Sequence, residues 1–140
     1  MDAMIVFKIA DEHIGVDINN VREVTEVQKP VVVPKAPKFL LGLVNIRGNV
    51  IPVLSLKKRL GLKGDEIGNL LVIIENEGRV AGLKVDELFG TKKVDEKRVN
   101  RRAELLSTKK EKDFFHGVYE GEEKPILILN LERTLSKEDK

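Results

Sequence analysis

Leu70-Leu71-Val72-Ile73-Ile74 and Ile126-Leu127-Ile128-Leu129 are apolar without interruption. Short runs of this kind, rich in β-branched residues, suit strands that are covered on both faces. Further strand signals surround them. Ile5 to Ile9 is rich in β formers, Asp11-Glu12 is a polar break, and Ile14, Val16 and Ile18 then alternate with Gly15 and Asp17, so a hairpin is predicted. Leu43 to Arg47 and Val50 to Leu54 flank Gly48-Asn49, a two-residue hairpin signal. Asn76-Glu77-Gly78 turns the chain into Val80 to Leu88, and Phe114 to Val118 returns it to the core. Val21, Val24 and Val27 stand three apart, which predicts a turn of helix leading into a strand. Val31 to Val33 lies between Pro30 and Pro34, which predicts an edge or a connection, because proline cannot donate to a ladder. Helix is otherwise confined to a turn over Leu56 to Leu60 and a terminal turn over Leu131 to Leu135 capped by Asn130. Many short strands with tight turns predict an all-β chain with short helices, a barrel or sandwich.

The chain has 140 residues, enough for one ordinary domain or for two very small barrels sharing a core. Charged residues are 34% of it, yet the net charge is only +2. That balance, with no Trp and a single Tyr, argues against a dedicated nucleic-acid binder. The absence of cysteine excludes disulfides, thiolate metal sites and cysteine nucleophiles. Met1 to Ala10 lacks the basic and apolar regions of a signal peptide, and no run approaches the ~18 apolar residues of a membrane span. A cytoplasmic location is therefore expected, with no direct membrane insertion.

No pattern in the chain points to catalysis. His13 sits at a predicted hairpin turn and His116 at a strand end, and they share no metal-like or nucleophile-like spacing. None of Ser55, Ser107 and Ser136 stands in a Gly-x-Ser-x-Gly elbow, and neither standard phosphate-binding glycine loop is present. Asp11-Glu12, Asp65-Glu66, Asp86-Glu87 and Asp95-Glu96 are adjacent carboxylates. Neighbours on a strand point to opposite faces, so such pairs read as solvated charges and not as acid–base dyads. Gly90 to Lys112 mixes both signs of charge and reads as strand ends and a long exposed loop. No cofactor is expected, and a binding module follows by elimination. A small all-β nucleic-acid module and an enzyme with a backbone-built or metal-dependent site are the competing classes.

Gly42-Leu43-Val44-Asn45-Ile46-Arg47-Gly48-Asn49-Val50-Ile51-Pro52-Val53-Leu54 sets one cation in an otherwise apolar double strand. An unpaired buried charge is very costly, so Arg47 should be paired or at an edge. This segment resembles the signature of the bacterial chemotaxis coupling proteins, the CheW family. Gly42, Asn45, Ile46, Arg47, Gly48, Pro52 and Val53 match its Gly-x-x-Asn-Leu/Ile-Arg-Gly-x-x-x-Pro-Val/Ile pattern. Upstream, Ile5-Val6-Phe7, Gly15 to Ile18 and Val21-Arg22-Glu23-Val24 are similar to the family's first strands. Val80 to Leu83 with Val85-Asp86, then Phe115-x-Gly117 and Ile126 to Leu131, resemble its later segments in order. Ser55 departs from it, since members often carry Asp there.

The resemblance implies a single domain over 1–140 made of two intertwined, five-stranded SH3-like barrels around a shared core. It implies a non-catalytic scaffold that couples the cytoplasmic tip of a chemoreceptor to the regulatory domain of the histidine kinase CheA. It places a kinase-binding surface at Ile5, Ile18, Val21 and Glu23, and it suggests an ion pair between Glu23 and Arg47. If apolar members of that set are exposed, they mark a partner site; if all are buried, they are core. A receptor-binding groove between the barrels is expected at Gly42, Val44, Arg47, Leu71 and Leu88, where a helix could dock. Leu71 and Leu88 fit plain core equally well.

Overall fold

The computed structural model describes residues 1–101 and 113–136. Eleven strands are present among the described residues: β1 (Ala3–Ile9), β2 (Glu12–Asp17), β3 (Val21–Glu26), β4 (Leu40–Ile46), β5 (Asn49–Ser55), β6 (Leu70–Asn76), β7 (Arg79–Lys84), β8 (Glu87–Lys93), β9 (Val99–Asn100), β10 (Phe115–Tyr119) and β11 (Ile126–Leu129). Two four-residue helices, α1 (Leu56–Arg59) and α2 (Leu131–Thr134), follow β5 and β11. The strands form two sheets, with orders β8-β1-β2-β11-β10-β9 and β3-β6-β7-β5-β4. The first sheet has six strands where five were expected, the sixth being the two-residue edge β9. The second sheet is inserted in sequence: its five strands lie between the first two strands and the last four of the first sheet.

The uninterrupted apolar runs explain the architecture. Val72 and Ile74 of β6, and Leu127 and Leu129 of β11, belong to one cluster that also holds Phe7, Ile9, Ile14, Val16 and Leu83. That cluster draws on both sheets and is their common core. The alternate residues face elsewhere. Leu71 and Ile73 pack with Ile51 and Val53 in a core private to the second sheet. Ile126 and Ile128 pack with Met4, Val6 and Tyr119 in a core private to the first. Each sheet is thus buried on both faces, as barrels that share a wall require.

Three local expectations are corrected. The β4–β5 loop is Arg47-Gly48, closed by the Ile46–Asn49 pair, so the turn lies one residue before the expected Gly48-Asn49. Both loop residues have positive φ, +51° and +85°, the form a two-residue hairpin favours, and the Asn45 side chain accepts the Gly48 N–H at 2.9 Å. Arg47 is thereby moved off the strand and onto the tip. Val21–Glu26 is strand and not helix, with Val27 just past its end; the helical turn, of 3-10 type, is Ile18–Asn20. Arg22 is an extra residue between the Val21–Ile74 and Glu23–Ile73 pairs, a bulge that returns Val21 and Val24 to the same core. Val80 to Leu88 is broken at Val85-Asp86, where the chain leaves the second sheet for the first. Val31 forms a single bridge to Leu43, as an edge segment should. The part of the expected Gly90–Lys112 loop from 102 to 112 lies outside the described residues.

Ser55 has a clear role. It is fully buried, its Oγ accepts the Lys58 N–H at 3.1 Å as the cap of α1, and it donates to Glu66 Oε2 at 3.0 Å. Ser55→Ala should cost about 1 kcal/mol for the lost cap. Ser55→Asp should cost more although aspartate also caps, because it sets a second carboxylate against Glu66. Urea denaturation of the two variants checks the order, and an aspartate variant as stable as wild type would refute it.

Candidate partner-binding surfaces

The four expected kinase-facing residues lie where the chain passes from the first sheet to the second. Ile18 opens the 3-10 turn, Val21 begins β3, Glu23 follows the bulge, and Ile5 sits on β1 opposite Val16. All four are half-buried. Ile5 and Val21 lean on the common core, so each shares its surface between core and solvent.

Glu23 accepts a hydrogen bond from Arg47 Nη2, and the two form an ion pair across the gap between the edge strands β3 and β4. The Arg47 side chain is 71% exposed and that of Glu23 29%. Exposed pairs contribute about 0–1 kcal/mol. Arg47→Ala should therefore leave stability within about 1 kcal/mol of wild type, and a double-mutant cycle with Glu23→Gln should give a coupling of about 0.5 kcal/mol. A coupling above about 2 kcal/mol would contradict the exposed geometry.

The expected receptor-facing set does not form one wall. Arg47 projects from the turn, and half-buried Val44 helps line a groove of about 370 Å³ between Thr25–Lys29 and Leu43–Ile46. Leu71 is fully buried in the second sheet's private core and is corrected to a core residue. Gly42 is also buried: its φ is +147°, and a Cβ there would lie 2.4 Å from the Val31 carbonyl oxygen. The close approach it allows is by its own chain, not by a partner. Leu88 is 37% exposed, but it lies on β8 at the edge of the first sheet, so the expectation that it shares one groove with Leu71 is corrected.

Leu88 has an exposed neighbour that the sequence did not single out. In the β1–β8 ladder Val6 pairs with Gly90 and Phe7 with Leu88, which leaves Phe89 as a bulge residue. Bulges re-aim side chains. Phe89 is 46% exposed and its ring meets that of His13 at 4.7 Å. The most apolar groove among those described, about 550 Å³, runs between the second sheet and α2, lined by Pro37, Phe39, Leu40, Pro52, Val80 and Leu135. These residues come from four separate segments, and no local pattern groups them.

Among the described residues, the Glu122 carboxyl and the Lys84 ammonium are displaced from their usual range. Hydrogen bonding from Lys92, aided by its charge and that of Arg98, lowers the Glu122 carboxyl. Burial pushes the Lys84 ammonium below the ordinary lysine range, against the pull of Glu66 and Asp86. The unfolded chain holds that lysine proton more tightly, so the contribution of Lys84 to stability improves as pH rises through the interval between the lowered and ordinary values. Among the described residues, no group of three or more His, Asp or Glu side chains is arranged to hold a metal ion. No described helix is long and apolar enough to cross a membrane.

Comparison with known proteins bears on what these surfaces meet. A family model described as the CheW-like domain matches residues 3–139. The chemotaxis protein CheW of Rhizobium meliloti is 28% identical over 139 residues, covering 98% of this chain and 89% of that protein. The chemotaxis protein CheW of Bacillus subtilis is 29% identical, covering 98% of this chain and 88% of the relative. The crystal structure of the scaffolding protein TtCheW from Thermoanaerobacter tengcongensis superposes with a TM-score of 0.84 at 31% identity, over 92% of this chain and 88% of that one.

Proposed function

The chain belongs to the CheW-like domain family, and on that premise we propose that it is a chemotaxis coupling scaffold joining the cytoplasmic tip of a chemoreceptor to the regulatory domain of the histidine kinase CheA. The observation that carries this reading is the family match along residues 3–139, in a fold that superposes on a scaffolding protein over nearly its whole length. In this reading the protein works in the cytoplasm, contributes no chemistry and takes no cofactor. Nothing in the comparisons or the charge distribution supports a nucleic-acid module.

The kinase side of the proposal uses Ile5, Ile18, Val21 and Glu23. Each keeps some solvent access, and apolar groups so placed favour a protein partner. The receptor side uses Val44, Arg47 and Leu88, with Gly42 and Leu71 acting from within as supports. A groove with Val27, Val31, Leu43, Val44 and Ile46 in its lining, Lys29 on its wall and Arg47 on the adjoining turn suits an amphipathic helix, which anchors through residues three and four apart.

The test is binding of the full-length protein to a receptor-tip fragment and, separately, to a kinase regulatory domain. Val21→Asp should weaken the kinase complex by tenfold or more and leave the receptor complex within twofold. Arg47→Ala and Leu88→Ala should do the reverse. Stably folded variants with unchanged affinities would place the contacts elsewhere. A wild-type protein that binds neither fragment would refute the coupling function.

A further inference from the structure

One buried ion pair belongs to neither partner surface. Lys57 Nζ lies 3.0 Å from Asp86 Oδ2, with the two side chains only 4% and 11% exposed. Lys57 also donates to the Asp65 carbonyl at 2.7 Å. Asp86 Oδ2 accepts the Ala10 N–H at 2.7 Å, and the Asp86 N–H donates to the Lys8 carbonyl at 2.9 Å. Lys8 and Ala10 are at the end of the β1–β2 hairpin, in the first sheet. Lys57 is in α1, which leaves the second sheet. Asp86 is the joint through which the chain crosses between them. A single carboxylate therefore ties together the hairpin, the helix and the crossover.

Burying two charges costs several kcal/mol per ion, so such a pair is a poor source of stability. The common core already supplies apolar attraction between the sheets, but that attraction has no direction. Side chains can slide over one another while remaining covered. Hydrogen bonds that a fixed carboxylate accepts from two defined donors cannot slide. We propose that Lys57 and Asp86 are positioning residues that hold the two sheets at the one angle at which receptor and kinase are engaged together.

This inference rests on the coupling function proposed above, and neither residue touches a partner. Its test needs a readout of angle as well as of coupling. The chain has no cysteine, so Val50→Cys on the second sheet and Lys93→Cys on the first give unique spin-label sites at exposed positions. Lys57→Met should broaden the distance distribution between the labels. Receptor-dependent kinase stimulation should fall at least tenfold, while binding to each partner alone stays within about twofold. Asp86→Asn keeps an acceptor for Ala10 and serves if Lys57→Met folds poorly. It should give the same result in milder form. A folded variant with wild-type label distances and full stimulation would overturn the proposal, as would parallel loss of both binary affinities, the mark of general destabilisation. The label distances need no partner. A wild-type protein that bound neither partner would therefore refute the coupling function and leave the positioning role to be decided by the distances alone.

Discussion

Gly42→Ala is expected to destabilise the protein by roughly 3 kcal/mol or more, a fall in melting temperature on the order of 10 °C. The backbone at Gly42 has φ of +147°, which a residue with a side chain enters only under strain. The added carbon would lie 2.4 Å from the Val31 carbonyl oxygen, 2.8 Å from its carbon and 2.9 Å from Pro30 Cβ. Two of those three atoms are backbone, so rotamer changes cannot relieve the contact. Relief requires moving the segment that exchanges two 2.9 Å hydrogen bonds with Leu43. Thermal denaturation and hydrogen exchange at Leu43 check this together, since the loosened bridge should leave the Leu43 amide less protected. A variant of wild-type stability that had lost only receptor affinity would restore Gly42 to the partner surface.

Arg59→Ala should cost about 3–4 kcal/mol. Arg59 is 3% exposed, with its guanidinium 4.0 Å from the centroid of the Phe39 ring and 5.2 Å from that of Phe114. It donates to the carbonyls of Arg133 and Ser136 at 3.2 and 2.7 Å, and so holds the end of α2. Truncation removes the charge, leaves a cavity between two aromatic rings and strips those carbonyls of a donor. Arg59→Lys should recover less than half of the loss, because an ammonium lacks the planar fork that stacks and donates at once. Urea denaturation with an unchanged slope checks both values, and a loss under 1 kcal/mol for the alanine variant would refute the clamp.

Lys57 and Arg59 show where reading the sequence stops. The turn of helix over Leu56 to Leu60 was legible, but its Ser55 cap was not read from the sequence. Lys57-Lys58-Arg59 nevertheless reads as a solvated basic run, since three adjacent cations carry no mark of which turns inward. Two of the three are buried, because their partners, Asp86 and the carbonyls of α2, arrive from distant segments. Val21, Val24 and Val27 fail for a different reason. One inserted residue shifts a period of two into the Val21–Val24 spacing of three, while Val27, past the end of β3, leans on the second sheet's private core, so a bulged strand with its exit imitates a helix until its ladder is seen. A slip of one residue in the β4–β5 turn likewise separates an apolar-setting cation from an exposed tip. The buried runs at Leu70 to Ile74 and Ile126 to Leu129 were read correctly because double-sided burial needs no register to be recognised. The Glu23–Arg47 contact was reached through resemblance, and local pattern alone would not have paired residues from different hairpins.

The insertion of the second sheet within the first governs the order in which this chain can assemble as it leaves the ribosome. Strands β3 to β7 emerge consecutively, and all four of their pairings lie within residues 21–84, so they can form once that span has cleared the ribosome and before the last strands are exposed. The β1–β2 hairpin emerges first, yet its second strand must wait for β11, where Ile14 pairs with Leu127. Throughout that interval the hairpin carries an open strand edge that other chains could join. Loops this long are also slow to close. Chains truncated after residue 95 and released from the ribosome should therefore resist protease over β3–β7 while β1–β2 is still cleaved, and the full chain should protect both together.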